Sequence, residues 1–420
     1  MNAGTIRFLF LGLLLVKTVW ESVLVVLNMR TIRKHADRIP DMFQGTINEE
    51  TYRKSVNYSL EKNRFELVSG ILEAGLLIVF VFSGLLGSLD VLSTQWSIHP
   101  YLQGAFYIFL ISLLFRIVTL PLSLYSQFVI EARYGFNRMT LRLFFIDFLK
   151  GLVIQLILLL PIVAVLFWFM ETTGELWWVW AFVFVTLFQV VVTILYPLVI
   201  APLFNKFTPL EEGSLKEQIL NLAERLGFRT RGIFVMDSSR RTQHANAYFT
   251  GLGRVKRIVL FDTLLAVLSN DEIAAVLAHE IGHEKRKHIV RMFLVSSVFL
   301  ILGLLVLNAL LSYAPLYEAF YFQRISYQGI LVIISFCSGP FTFFLTPLIN
   351  AFSRRHEYQA DRFAAEQAGL GKALASALLT LGKENLTNLT PHPWYSFYYY
   401  SHPTLSERIQ ALEASSSSAA

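Results

Sequence analysis

One cysteine, Cys337, stands among 420 residues. It excludes an internal disulfide and a cysteine-built metal site, so any metal has to be held by histidine and carboxylate. Charged side chains make up only 16% of the sequence. They cluster between apolar runs, which removes the nucleic-acid reading that a net charge of +6 would otherwise invite. Lysine and arginine are missing altogether from 90–103 and 171–176. No small-residue cleavage site follows the first apolar stretch, which runs on into Met29-Arg30-Thr31-Ile32-Arg33-Lys34, so that stretch is expected to stay as a membrane span. The glycines around Gly251 do not follow a strand of a βαβ unit, which argues against a nucleotide-binding loop.

What is abundant is apolar. Hydrophobic residues reach 55% and aromatics 14%, with a mean hydropathy of +0.53, the profile of an integral membrane protein. Seven stretches, 6–29, 65–89, 104–125, 151–170, 177–204, 289–311 and 329–351, approach or exceed the roughly 20 residues a helical span needs. Basic residues crowd the loops after the first, third and fifth spans and are nearly absent from the others, where Arg324 alone stands in 312–326. That alternation places the N-terminus outside and the C-terminus in the cytoplasm. Lys17, Glu21, Glu73, Arg116, Gln155 and Gln189 fall within the spans. Singly they read as internal pairs or snorkelling groups; together they permit a hydrated interior.

The expected fold is mainly α, a seven-transmembrane helical protein with a small α+β cytoplasmic domain. Residues 1–204 form spans one to five, 205–288 the cytoplasmic part with a small sheet, 289–351 a hairpin of spans six and seven, and 352–420 a cytoplasmic C-terminal region. Within 205–288, residues 214–226 read as an amphipathic helix, and 232–236, 245–251 and 257–261 as strands, the last two joined by a turn at Gly251-Leu252-Gly253. The sheet either completes a small core or offers an edge to an extended peptide.

The segment 269–288 carries the chemistry. Ile273, Val276, Leu277 and Ile281 recur at helical steps behind Ser269 and Glu272, a capping-box spacing. His279-Glu280-Ile281-Gly282-His283 on that helix sets two imidazoles one turn apart, where they can grip one Zn²⁺, with Glu280 beside the metal to take a proton from water. A lone H-E-x-x-H also arises by chance, so a third ligand is required. Downstream of span seven, Glu357 and Asp361 share a helical face. There Glu357 can ligate zinc and Asp361 can orient a zinc histidine, the alternative being a surface helix with ordinary i, i+4 charges. His356 is the rival ligand, but adjacent helical residues diverge by about 100°, and Glu357 is preferred because it shares the face of Asp361. His288 is read as an interfacial cation off the ligand face, and His35, His99, His244 and His392 stay unassigned. If the zinc helix runs on into span six and span seven into the second helix, His283 and Glu357 both lie roughly 9 Å outside the membrane.

These motifs, with Asn246-Ala247-Tyr248-Phe249, 257–264, 200–204 and Ser401-His402-Pro403-Thr404-Leu405-x-Glu407-Arg408, resemble the type I CAAX prenyl protease family, membrane zinc metallopeptidases of the a-factor-converting type. The resemblance covers almost the whole chain. It implies helices enclosing an intramembrane chamber, one zinc per chain at its cytoplasmic end, His279, His283 and Glu357 as ligands and Glu280 as the catalytic base. By motif position, it further implies that His402 and Asn246 hold the oxyanion or the substrate backbone and that Arg408 supports them. Without the resemblance these three read as a loop histidine, a sheet-edge turn and a surface charge. The implied partners are the bilayer and a peptide or protein substrate that can be prenylated; nucleic acid is not one, and a monomer is expected. A bacterial member would sit in the inner membrane, a eukaryotic one in the endoplasmic reticulum. The bacterial member is preferred, and for it a membrane quality-control protease indifferent to prenylation is the alternative. From another class, a seven-span transporter or receptor with an incidental H-E-x-x-H remains.

Overall fold

The computed structural model describes residues 1–250 and 256–417, the side chains of 415–417 excepted. The first half is helical: α1 (Ala3–Lys34), α2 (Glu49–Phe82), α3 (Leu85–Ser93), α4 (Pro100–Tyr125), α5 (Leu141–Thr172), α6 (Trp177–Leu195) and α7 (Ala201–Phe204). Asn2, Asn48 and Thr140 cap α1, α2 and α5 through their side-chain oxygens, which satisfies backbone N–H groups that a helix start leaves open. The second expected span divides where Gly84 takes φ 77°. α2 stops at Phe82, and the last residues of that apolar run form α3.

Next come β1 (Phe207–Pro209), α8 (Ser214–Arg225), β2 (Ile233–Met236), β3 (Ala247–Thr250), β4 (Arg257–Phe261), α9 (Asp262–Val267) and α10 (Asn270–Lys285). The strands form one sheet in the order β1-β2-β4-β3. β2 and β4 are parallel, with Val235 opposite Leu260, and β3 returns antiparallel along β4, with Tyr248 opposite Val259. β3 is therefore an edge strand. The expected turn at Gly251-Leu252-Gly253 lies outside the described residues. Three strands were legible as apolar runs; β1 was not, being three residues long and ending in Pro209.

The chain continues as α11 (His288–Leu310), α12 (Ala314–Ala319), α13 (Tyr327–Phe343), α14 (Thr346–Glu366), α15 (Gly371–Glu384), α16 (Pro393–Tyr399) and α17 (Leu405–Ser417). Among the described residues six helical segments are long and apolar enough to cross a bilayer, and α13 with α14, bent by 64°, makes a seventh if the pair is one span. Neither expected continuous helix occurs. Lys287, in the left-handed region at φ 56°, separates α10 from α11, and the chain kinks at Phe344–Leu345 between α13 and α14, with Pro347 opening α14. The depth comparison built on continuous helices therefore falls.

What joins the halves of the site is direct packing of α10 on α14. A Cβ on Gly282 would lie 3.1 Å from Ala360 Cα and 3.2 Å from its carbonyl oxygen, a separation that only glycine allows without moving backbone. The core beneath gathers Ile258 and Leu260 of the sheet, Ile273, Leu277 and Ile281 of α10 and Ala364 of α14. Leu277 is fully buried, worth ~1.5–3 kcal/mol. α10 starts with the expected capping box between Ser269 and Glu272, so its register, and with it the direction of both histidines, is set from its first turn.

Candidate metal centre

His279 and His283 lie one turn apart on α10, and their Nε2 atoms are 3.1 Å from each other. Glu357 reaches across from α14, with Oε2 3.5 Å from His279 Nε2 and Oε1 3.3 Å from His283 Nε2. One ligand atom from each of the three lies within 4.8 Å of the others. Donors about 2.0–2.2 Å from a tetrahedral zinc stand roughly 3.4 Å apart, so the arrangement fits the ion without rearrangement. Two histidines and one carboxylate are the donor set of catalytic rather than structural zinc sites.

Each histidine is oriented from behind. His279 Nδ1–H donates to Asp361 Oδ1 at 2.7 Å, which keeps Nε2 toward the metal. Asp361 is in turn gripped by Arg408, whose Nη2 and Nε donate to its two oxygens at 2.6 and 2.8 Å. Burial lowers the His279 pKa, but its bonds to Asp361 and Glu357 outweigh that and raise it to about 9. His283 is pushed down to about 3, by burial first and then by the charge of His279. His283 is thus neutral and ready to ligate.

His288 is not the interfacial cation expected of it. Buried at 3% exposure, it places Nδ1 3.0 Å from His283 Nδ1 and Nε2 2.9 Å from Gln359 Oε1. Gln359 accepts the Nε2 proton, so Nδ1 is left to accept from His283, fixing that ring's tautomer as Asp361 fixes the other. The left-handed turn at Lys287 swings His288 back onto the ligand face, a turn that a lysine does not announce. His288→Phe is expected to weaken zinc binding by about 10–100-fold, read by competition with a calibrated chelator; unchanged affinity would exclude the role. His356 is not among the donors that converge with His279 and His283. It stacks on His288 with centroids 4.0 Å apart.

Glu280 is held above the usual carboxylate range by burial, with His279, Glu357, His402 and Arg408 as its charged neighbours. His402 sets Nδ1 2.8 Å from Glu357 Oε2 while its side chain stays 62% exposed, leaving Nε2 open to a ligand. Arg354, three residues before Glu357 on α14, donates from Nη1 to the carbonyls of Phe397 and Tyr400 at 3.1 and 2.6 Å, which secures the chain just ahead of His402. Asn246 is exposed at the head of β3, and its Oδ1 accepts from the Ala247 N–H at 2.8 Å. No described polar contact joins it to His279, His283 or Glu357. His35, His99 and His392 lie outside the cluster, bonded within their own helix ends.

Two family models match in succession. Residues 28–206 match the one described as CAAX prenyl protease N-terminal, five membrane helices, and residues 209–416 match peptidase family M48. CAAX prenyl protease 1 of Saccharomyces cerevisiae is 37% identical over 406 residues, covering 90% of this chain and 88% of its own. The CAAX prenyl protease 1 homolog of Homo sapiens is 33% identical over 440 residues, covering 94% and 92%. The crystal structure of S. mikatae Ste24p superposes with a TM-score of 0.90 at 33% identity, over 97% of this chain and 98% of that one.

Proposed function

As the chain belongs to peptidase family M48 and, within it, to the CAAX prenyl protease 1 proteins, and is an integral-membrane zinc metalloendopeptidase, we propose that it cleaves near the C-terminus of prenylated CAAX substrates. The observation that carries this is the pairing of full-length similarity to such proteases with three donors at zinc spacing. The transporter and receptor reading falls with the M48 match. The relatives named above are eukaryotic CAAX proteases, so neither the bacterial assignment nor the prenylation-independent quality-control role is favoured.

In this reading α13 and α14 complete a seventh span and the helices surround a hydrated chamber. The sheet and α10 form a cytoplasmic unit over 205–288, with 352–420 closing the site from the same side. His279, His283 and Glu357 hold zinc. When bound, the metal polarises the scissile carbonyl and makes water acidic enough to attack near neutral pH. Glu280 takes the proton of that water and later hands it to the leaving amine. An extended peptide pairs with the edge of β3, and Asn246 binds its backbone. His402 donates from Nε2 to the oxyanion, a contribution of about 2.7–4 kcal/mol where such donors have been removed. Arg408 acts through Asp361.

The test uses purified protein in detergent, a farnesylated CAAX peptide and its unprenylated twin. One zinc per chain, chelator-sensitive cleavage and a lower KM for the farnesylated peptide are expected. No zinc and no cleavage would sink the reading; equal KM values would remove the prenyl group from it.

A further inference from the structure

A cavity of about 530 Å³ opens between α2 and the segments that lead into the metal centre, within the roughly 300–1,000 Å³ typical of ligand pockets. Two of its wall residues are informative by position. His244 stands two residues before Asn246, and Tyr400 two before His402, so both strands of chain that deliver the candidate substrate-binding groups first line this cavity. His244 is itself fixed from several sides, stacked on Phe136 at 4.1 Å and bonded through Nδ1 to Asn385 at 3.1 Å.

An antiparallel mode of addition to the edge of β3 sets the direction of a bound peptide. A strand adding antiparallel to β3 runs from the Thr250 end toward Ala247. Its C-terminal residues then leave β3 past Asn246 and His244, toward the cavity.

The wall chemistry is asymmetric. Its one acid, Glu66, accepts from the Tyr395 hydroxyl at 2.8 Å, and Glu131, which contacts the wall from outside it, accepts from the Tyr58 hydroxyl at 2.8 Å and faces His244 Nε2 at 3.3 Å. Its donors are less satisfied. Lys62 Nζ, on a half-exposed side chain, reaches the Tyr58 hydroxyl at 3.2 Å, the Tyr58 ring and Glu131 at 3.7 Å, and Asn388 Nδ2, buried in the wall beside the Tyr400 hydroxyl, makes no hydrogen bond of good geometry among the described residues. An ammonium and a buried amide N–H, beside carboxylates whose oxygens already accept hydrogen bonds, suit an anionic oxygen pair.

We propose that this cavity receives the residues on the C-terminal side of the scissile bond and that Lys62 and Asn388 bind the substrate's terminal α-carboxylate. The proposal rests on the peptidase reading above. The enzyme then measures its cut from the free end of the chain.

The experiment compares a farnesylated CAAX peptide ending in a free acid with the same peptide ending in a carboxamide, on the purified protein and its Lys62→Met and Asn388→Ala variants. The parent is expected to favour the acid by about 10–100-fold in kcat/KM, the loss that follows when a charged hydrogen-bond partner goes. That acid-to-amide ratio should fall toward one in Lys62→Met and partway in Asn388→Ala. Because the readout is a ratio within one preparation, partial misfolding does not imitate it. A parent that cuts acid and amide equally, or a variant that keeps the parent's ratio, would overturn the carboxylate site while leaving the peptidase reading intact. A parent that cuts neither peptide would overturn both.

Discussion

Glu280→Gln is expected to lower kcat by about 10²–10⁴-fold while one zinc per chain stays bound. The amide keeps the size and hydrogen-bonding reach of the carboxylate but cannot take a proton, and His279, His283 and Glu357 are untouched. Their mutual distances of 3.1 to 3.5 Å owe nothing to Glu280, so metal content should not follow activity down. The pH profile adds an independent reading. Burial holds the Glu280 carboxyl above its ordinary range, and a base works only when deprotonated, so parent activity falls as pH drops through that raised value. The residual activity of the variant should lack this acid limb. Turnover in the variant within about tenfold of the parent would assign the proton transfer elsewhere.

The parts of this site that a reader of the sequence can find are those whose physics is local. α10 announces itself through Ser269, Glu272 and apolar residues at three- and four-residue steps, and a helix of that register puts His279 and His283 on one side whatever surrounds it. Glu357 and Asp361 follow from the same rule on a second helix. What escapes is set by breaks and contacts. Lys287 turns left-handed with no glycine to signal it, and that turn makes His288 a support for His283. The kink at Phe344–Leu345 lies inside a long apolar run, where Pro347 alone hints at the new helix start. Gly282 could be seen as one of the two free positions of H-E-x-x-H, yet its reason lies 3.1 Å away in Ala360, 78 positions along the chain. Asn246, His402 and Arg408 show no spacing that marks them; only the motifs they sit in do. His402 comes to Glu357 because Arg354 ties down the carbonyls before it, a contact between α14 and the end of α16 that no periodicity encodes.

Asp361→Ala should damage two properties at once, and a second substitution should separate them. Asp361 is 2% exposed and its two oxygens accept from His279 Nδ1, Arg408 Nη2 and Arg408 Nε. Removing the carboxylate leaves the Arg408 guanidinium, 11% exposed, as a buried charge answered among the described residues by Glu357 Oε2 at 3.9 Å and by the more distant charge of Glu280. Breaking a buried pair from one side costs about 3–5 kcal/mol, so the zinc-free protein should unfold at a clearly lower temperature. His279 also loses the acceptor that fixes its tautomer, which should weaken zinc binding by about 10–100-fold. Adding Arg408→Met removes the stranded charge, and replacing both partners of a buried pair with apolar groups is often close to neutral. The double variant should therefore regain most of the thermal stability and none of the zinc affinity. If affinity returned together with stability, Asp361 would serve only to neutralise Arg408, and the orientation of His279 would have to come from the packing of α10 on α14 alone.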